Sequence, residues 1–297
     1  MTIRWGVSPI AWANDDMPEL GGDITLDALL TDVREIGFEG VELGNKFPRD
    51  RATLAPIMER HGLAIVGGWY SANLLARDAE AEIAALQPHL HLLEAMGATT
   101  FVVAETSNAI HGDRASRLDA RPSLTDEQWR RFGRGLDRLA AYLDDHGFRL
   151  AYHYHLGTPV ETAADLDRFL AVTGERVGLV VDTGHATLAG IDPVALVRAH
   201  PERVAHVHCK DVRRERHRAF VAEGRGFLDG VVGGMFTAPG DGDYDFAPFL
   251  SALAEIGYDG WIVIEAEQDP AVADPREYQQ LGLDTLQRLA RETGLTG

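Results

Sequence analysis

The sequence predicts an α/β fold, a (β/α)8 TIM barrel that occupies residues 1–297 as a single domain, from three observations. Short apolar, β-branched runs alternate with amphipathic stretches, the pattern of repeated βα units around a parallel sheet. Eight such runs occur, and no linker rich in Pro, Gly or Ser separates them into two groups. "EIGFEGVEL" (35–43) and "EIGYDGWIVIE" (255–265) echo each other: each closes a helical pattern on one glycine and enters a strand through a second. A doubly wound open sheet is the competing arrangement, but no GxGxxG or GxxxxGK[ST] follows any strand, so no nucleotide site is indicated.

In chain order the expected strands are "IRWGVSPI" (3–10), "GVEL" (40–43), "AIVGGWY" (64–70), "TTFVVAE" (99–105), "RLAYHYH" (149–155), "VGLVVDTG" (177–184), "VAHVHCKD" (204–211) and "GWIVIEAE" (260–267). Helical patterns lie between them, among them "TLDALLTDVREIG" (25–37), "SLTDEQWRRFGRGLDRLAAYLDDHG" (123–147) and "DFAPFLSALAEIG" (245–257). Ser123 is expected to cap the second of these, with Asp126 and Glu127 in its first turn. The connection from Val212 to Gly240 is long and without clear periodicity, and is expected to form a lid over the strand ends.

A net charge of −18 excludes nucleic acid and anionic membrane as partners, since both need compensating basic surface. No apolar stretch reaches the ~18 residues that span a bilayer, and the start "MTIRWGVSP" lacks the pattern of a signal peptide. The single cysteine, Cys209, permits no intramolecular disulfide and suits a reducing compartment, so a cytoplasmic location is expected. The sequence leaves room for a homo-oligomer. Only two of the 28 basic residues are lysines, Lys46 and Lys210, and both fall near strand ends.

Chemistry on a (β/α)8 barrel resides at the C-terminal ends of its strands. Those ends carry Glu42 and Lys46, Glu105, His153 and His155, Asp182 and His185, His206, His208 and Lys210, and Glu265 and Glu267. Singly, each reads as an ordinary hydrogen-bonded or capping residue. Together, several carboxylates and imidazoles in a barrel interior must be paired or bind a cation. Period-2 alternation points His153 and His155 to one side of their strand, and turns Cys209 away from the side of His208.

The stretches "GVSPIAWANDDMPELGG", "GVELGNKFPRD", "VGGWYSANLL", "AYHYHLGTPVET", "VVDTGHATLAGIDP", "AHVHCKD" and "FTAPGDGDYDF" resemble the inosose (2-keto-myo-inositol) dehydratases of the xylose-isomerase-like superfamily of metal-dependent barrels. The resemblance implies a lyase of inositol catabolism that takes a small cyclitol or sugar substrate. It implies a divalent metal, Mn²⁺ or Co²⁺ ahead of Zn²⁺ or Mg²⁺, held by Asp182, His208 and Glu265. Many members of the superfamily carry a glutamate where this chain has His153, so the fourth ligand is either Glu161, which is preferred, or His153. Lys46, His153, His155, His185 and Lys210 are the candidate proton-transfer groups, with the general base left open. Trp12, Asn14, Glu105 and His206 are the candidate substrate contacts. Lys46, in the more family-specific stretch, is expected to be the more sensitive of the two lysines. A sugar isomerase or epimerase, or a non-catalytic sugar-binding barrel, is the alternative reading of the same scaffold.

Overall fold

A computed structural model describes residues 3–295. The eight expected strands are all present: β1 Ile3–Val7, β2 Gly40–Leu43, β3 Ala64–Ala72, β4 Thr100–Glu105, β5 Arg149–His153, β6 Gly178–Asp182, β7 Val204–Cys209 and, after a two-stranded ribbon of β8 Asp211–Val212 and β9 Phe236–Thr237, β10 Gly260–Ile264. They close into a parallel barrel in the order β1-β10-β7-β6-β5-β4-β3-β2, which leaves no open edge. Helices cross over between the strands; they include α1 Leu26–Ile36, α2 Arg51–His61, α3 Ala79–Ala95, α4 Asp126–Asp145, α5 Ala163–Val172, α6 Thr183–Leu188, α7 Pro193–Ala199, and, after two helices described below, α10 Phe246–Glu255 and α11 Pro275–Thr293. No helix is long and apolar enough to cross a membrane among the described residues.

The start of α4 differs from expectation. Thr125, and not Ser123, is the N-cap: its hydroxyl accepts from the Gln128 N–H while the Gln128 side chain accepts from the Thr125 N–H. This reciprocal pairing satisfies two end donors at once, which a serine two residues earlier would not reach.

Strand alternation builds two apolar layers. Val207 and Cys209 face outward into the shell between strands and helices, so Cys209 does turn away from the site, while His206 and His208 face the interior. At the barrel floor Val66, Trp261 and Val263 pack together, and the glycines of the strand entrances make room for them. A Cβ on Gly40 would stand 2.8 Å from both Trp261 Cη2 and Val66 Cγ2. The echo seen in the sequence thus has a structural meaning: Gly37 and Gly257 close helices at positive φ, and Gly40 and Gly260 open strands at the floor. Above, Val102, Ala151 and Val180 form a middle layer that supports the polar mouth.

The connection after β7 does cover the strand ends, but as ordered structure. Helices α8 Arg214–Ala222 and α9 Phe227–Val232 lead to β9, which pairs antiparallel with β8. Phe227, Leu228, Val231, Met235 and Phe236 form a satellite core with Met17, Leu118 and Leu156 over the barrel mouth. The Asp211 carboxylate fastens the return segment, accepting from the N–H groups of Gly240, Gly242 and Tyr244 at 2.9–3.0 Å.

One histidine outside the mouth carries an acid-stability prediction. His89, on α3, is wedged against Tyr70 and Phe101 and donates to the Gly68 carbonyl. Burial, helped by the Arg49 charge, depresses it to about 4. The unfolded chain therefore binds more protons than the folded one between pH 6.5 and 4, and stability is lost as pH falls through that window. His89→Gln keeps a donor for Gly68 without a titrating group. Urea titrations from pH 7 to pH 4 are expected to show the wild type losing about 2–3 kcal/mol more than this variant; parallel curves would refute the assignment.

Candidate metal centre and active site

Four side chains from four consecutive barrel strands meet at the mouth. His153 ends β5, Asp182 ends β6, His208 lies on β7 and Glu265 follows β10. One ligand atom from each lies within 4.8 Å of the others, and all four residues are buried. Asp182 Oδ2 stands 3.6 Å from His153 Nε2 and 3.7 Å from His208 Nδ1, and Glu265 Oε2 stands 2.8 Å from His208 Nδ1.

Local bonds aim each of these atoms. The Nδ1–H of His153 donates to the Tyr154 carbonyl, which leaves Nε2 as a lone pair facing the group. Asp182 is the N-cap of α6: Oδ1 accepts from the His185 N–H at 2.8 Å, which leaves Oδ2 inward. The Tyr154 hydroxyl donates to the Asp182 carbonyl and accepts from its N–H, both at 3.0 Å, pinning the backbone there. Asp182 Oδ2 is buried without a hydrogen-bond partner, and His208 Nδ1 and Glu265 Oε2 have only each other, at 2.8 Å. Buried polar atoms that converge on one point with so few partners are costly in a dry interior unless a cation joins them. Two imidazoles and two carboxylates, with no thiolate, suit a borderline or hard divalent ion.

Beside this group lies a row of charge. Lys210 is fully buried, its Nζ 2.9 Å from Glu265 Oε1, 3.4 Å from Glu267 Oε2 and 3.1 Å from His185 Nε2. Burial opposes its charge, but Glu265, Glu267 and Asp182 outweigh that and hold the ammonium above its ordinary range. A Cβ on Gly184 would lie 2.8–2.9 Å from three carbons of the Lys210 stem, so glycine there is the condition for the lysine to reach the row. Burial pushes Glu267 up to about 7 despite Lys210. Burial also holds His155 and His185 well below their ordinary range, so both are neutral. For Glu42, burial would raise the carboxyl, but the His208 and His206 imidazoles hold it at about 2.

The mouth opens into a cavity of about 300 Å³ lined by Glu42, Trp69, His111, His153, His155, His208, Glu265 and Glu267, with Ser8, Asp15, Asp16 and Ser71 among its polar contacts. Such a volume is at the lower end for a small-molecule site.

A model of the xylose isomerase-like TIM barrel family matches residues 30–289. The chain is 46% identical over 294 residues to the rhizopine catabolism protein MocC of Rhizobium meliloti, across 99% of this chain and 90% of that one. It is 43% identical over 281 residues to the inosose dehydratase of Lacticaseibacillus casei, across 94% of each. The chain belongs to the inosose dehydratase family. A solved structure, the IOLI protein with a bound zinc atom, shares the fold at a TM-score of 0.69 and 17% identity, across 98% of this chain and 99% of that one.

On this member of the inosose dehydratase family, the structure sorts the residues singled out from sequence. Glu161, preferred as the fourth ligand, stands outside the group: its Oε2 accepts from the Gly157 N–H at 2.6 Å and its Oε1 faces Arg121 at 4.0 Å. The "LGTP" turn bonds the carboxylate to itself and so removes it from the mouth, and His153 stands at the position instead. Trp12 points outward, its Nε1–H donating to Asp32 on α1. Asn14 is a loop brace, accepting from the Asp16 and Met17 N–H groups and reaching Glu267 at 3.4 Å. Glu105 accepts from the Leu74 and Ser107 N–H groups and ties two loops together. His206 bonds Glu42 beneath the cavity rather than lining it. His155 lines the cavity, whereas His185 and Lys210 form the layer behind it.

Lys46 is half-buried and donates to the Gly22 carbonyl at 3.1 Å, away from the cavity wall. Lys46→Arg is therefore expected to keep turnover within about twofold of wild type, because a longer donor still reaches a surface carbonyl. A loss of ten-fold or more in kcat, with normal folding by circular dichroism, would return Lys46 to the chemistry.

Sequence periodicity missed Trp69, Ser71 and His111. In β3, Val66 faces the floor, and strict alternation would then point Gly68 and Tyr70 inward. The pairing shifts register between Val41 and Leu43, where Leu43 pairs with Gly68, and the extra residue turns Trp69 and Ser71 to the cavity. The pair Gly67-Gly68 was the available signal, since glycine inside a strand marks a bulge. His111 comes from the loop after β4, where no periodicity applies.

Proposed function

We propose that the protein is a divalent-metal-dependent dehydratase that removes water from a cyclic polyol ketone, with 2-keto-myo-inositol as the first candidate. The observation that carries the reading is the convergence of buried ligand atoms of His153, Asp182, His208 and Glu265 beside a small polar cavity. Extended relatedness to inosose dehydratases at 39–43% identity supports the substrate class. His153, Asp182, His208 and Glu265 would hold the ion; the mixed nitrogen and oxygen set accepts Mn²⁺, Co²⁺, Zn²⁺ or Mg²⁺, and the family resemblance puts Mn²⁺ or Co²⁺ first.

When bound, the ion supplies Lewis acidity to the ketone oxygen and so acidifies the neighbouring C–H. His155 is the base in this reading. Its Nδ1–H donates to the Leu156 carbonyl at 2.8 Å, so Nε2 carries the lone pair, and burial keeps the ring neutral with that lone pair free. Glu267, raised to about 7 and lining the same cavity, delivers a proton to the departing β-hydroxyl. Water leaves, the C–C double bond forms, and the enol tautomerises to the dione. Lys210 supports both steps from behind by holding Glu265 and Glu267 in place. Trp69 and His111 wall the cavity and exclude water from the reacting face. Cys209, buried and free, suits a reducing cytoplasm.

The similarity to a rhizopine catabolism protein favours one variation, a rhizopine-derived cyclitol ketone in place of 2-keto-myo-inositol. Protein loaded with Mn²⁺ or Co²⁺ should convert one of these ketones to a product lighter by one water with the absorbance of a dione. A rearranged polyol of unchanged mass would establish an isomerase instead, and no turnover with any of them would leave a binding protein.

A further inference from the structure

The geometry assigns to Glu42 the role of positioning residue for the metal centre, with His206 as the group that holds Glu42; this rests on the metal reading above. Glu42 is the next-to-last residue of β2, three strands round the barrel from β7, and is 6% exposed. Its Oε1 lies 3.1 Å from His208 Nε2 and 3.0 Å from His206 Nε2. A carboxylate oxygen only accepts, so both imidazoles present N–H there.

The consequence falls on the opposite side of the His208 ring. An imidazole can sit in two orientations about its Cβ–Cγ bond, and only one places Nε2 on Glu42 and Nδ1 beside Asp182 and Glu265. The bond to Glu42 selects that orientation and commits the ring proton to Nε2, which leaves Nδ1 as the ligand atom. His206 packs edge-on to His208, with centroids 5.2 Å apart, and donates to the same oxygen, so the carboxylate cannot swing away. A carboxylate behind a ligating imidazole raises its basicity and fixes its tautomer, and loss of such a partner typically weakens metal affinity 10- to 100-fold.

Two other roles fit the same residues. Glu42, His206 and His208 could themselves surround a cation. Hydrogen bonds already satisfy those atoms, however, whereas the group around Asp182 is left short of partners. Glu42 also touches the cavity, so it could instead contact substrate.

Calorimetric titration of the metal-free full chain with Mn²⁺, and the visible absorption of its Co²⁺ form, separate these roles. Wild type should bind one ion. Glu42→Gln should bind one ion 10- to 100-fold more weakly, with a changed Co²⁺ spectrum and, at saturating metal, a lower kcat at nearly unchanged KM. His206→Leu, which frees Glu42 while leaving its bond to His208, should weaken binding in the same direction but less, and serves if Glu42→Gln fails to fold by circular dichroism. Unchanged affinity with a raised KM in Glu42→Gln would make Glu42 a substrate contact and overturn the proposal. Two ions in wild type and one in Glu42→Gln would make it a ligand and overturn it as well. No ion in wild type would overturn the metal reading itself.

Discussion

Asp182→Ala is expected to lower metal affinity by at least 100-fold and turnover by 10³-fold or more. Asp182 Oδ2 faces both histidines of the group, at 3.6 and 3.7 Å, and has no hydrogen-bond partner of its own. The same side chain caps α6 through Oδ1, so alanine also costs about 1 kcal/mol of stability, the ordinary worth of an N-cap. Asp182→Asn separates the two effects. The amide oxygen still caps the helix while the charge is gone, so folding should be retained and metal affinity should not. Glu265→Gln, just past β10 and two strands along the barrel, should reproduce the loss without touching any cap. Atomic absorption of dialysed protein, with kcat measured across metal concentrations, checks both. If Asp182→Asn retains stoichiometric metal at wild-type affinity, the centre has been placed on the wrong residues.

Lys210→Arg and Lys210→Met are expected to fail in both activity and stability. From the sequence, Lys46 looks the more sensitive of the two lysines. The structure reverses that order, because Lys210 is fully buried, its stem packs against Gly184, and its ammonium is enclosed by Glu265, Glu267 and His185, which a bulkier guanidinium must displace. Lys210→Met keeps the length but removes the charge, and leaves Glu265 and Glu267 as buried carboxylates without a counter-ion. Breaking a buried pair from one side costs about 3–5 kcal/mol. Turnover should fall by about 10²-fold or more, since Glu265 and Glu267 lose the group that orients them. Adding Glu267→Gln to Lys210→Met should restore part of the stability and none of the activity. Denaturant unfolding of the two single variants and the double variant decides it: a loss below 1 kcal/mol in Lys210→Met would show that the carboxylates are compensated elsewhere.

The inward set of each regular strand was legible in the sequence, because side-chain direction along a strand is a local property with a period of two. That period, with the alternation of strand and helix, was enough for the eight strands and for the shared direction of His153 and His155, whereas the choice of Asp182, His208 and Glu265 from among the strand-end residues came from the family resemblance. It failed where direction stops being local. The bulge at Gly67-Gly68 shifts the phase of β3 and brings Trp69 to the cavity, and only pairing with β2 produces that shift. Loops carry no period, so Glu161 could be assigned to the mouth although its own turn ties it down, and His111 could be passed over although it lines the cavity. Trp12 and Glu105 were drawn to the site by their position in the chain, while Asp32 and the Leu74 and Ser107 amides hold them away from it. The partner of His208 is the extreme case: Glu42 lies 166 residues away and meets it only because the barrel closes. Residue type and spacing determine what chemistry a strand can present; closure, register and hydrogen bonding between distant segments decide which of those side chains share a site.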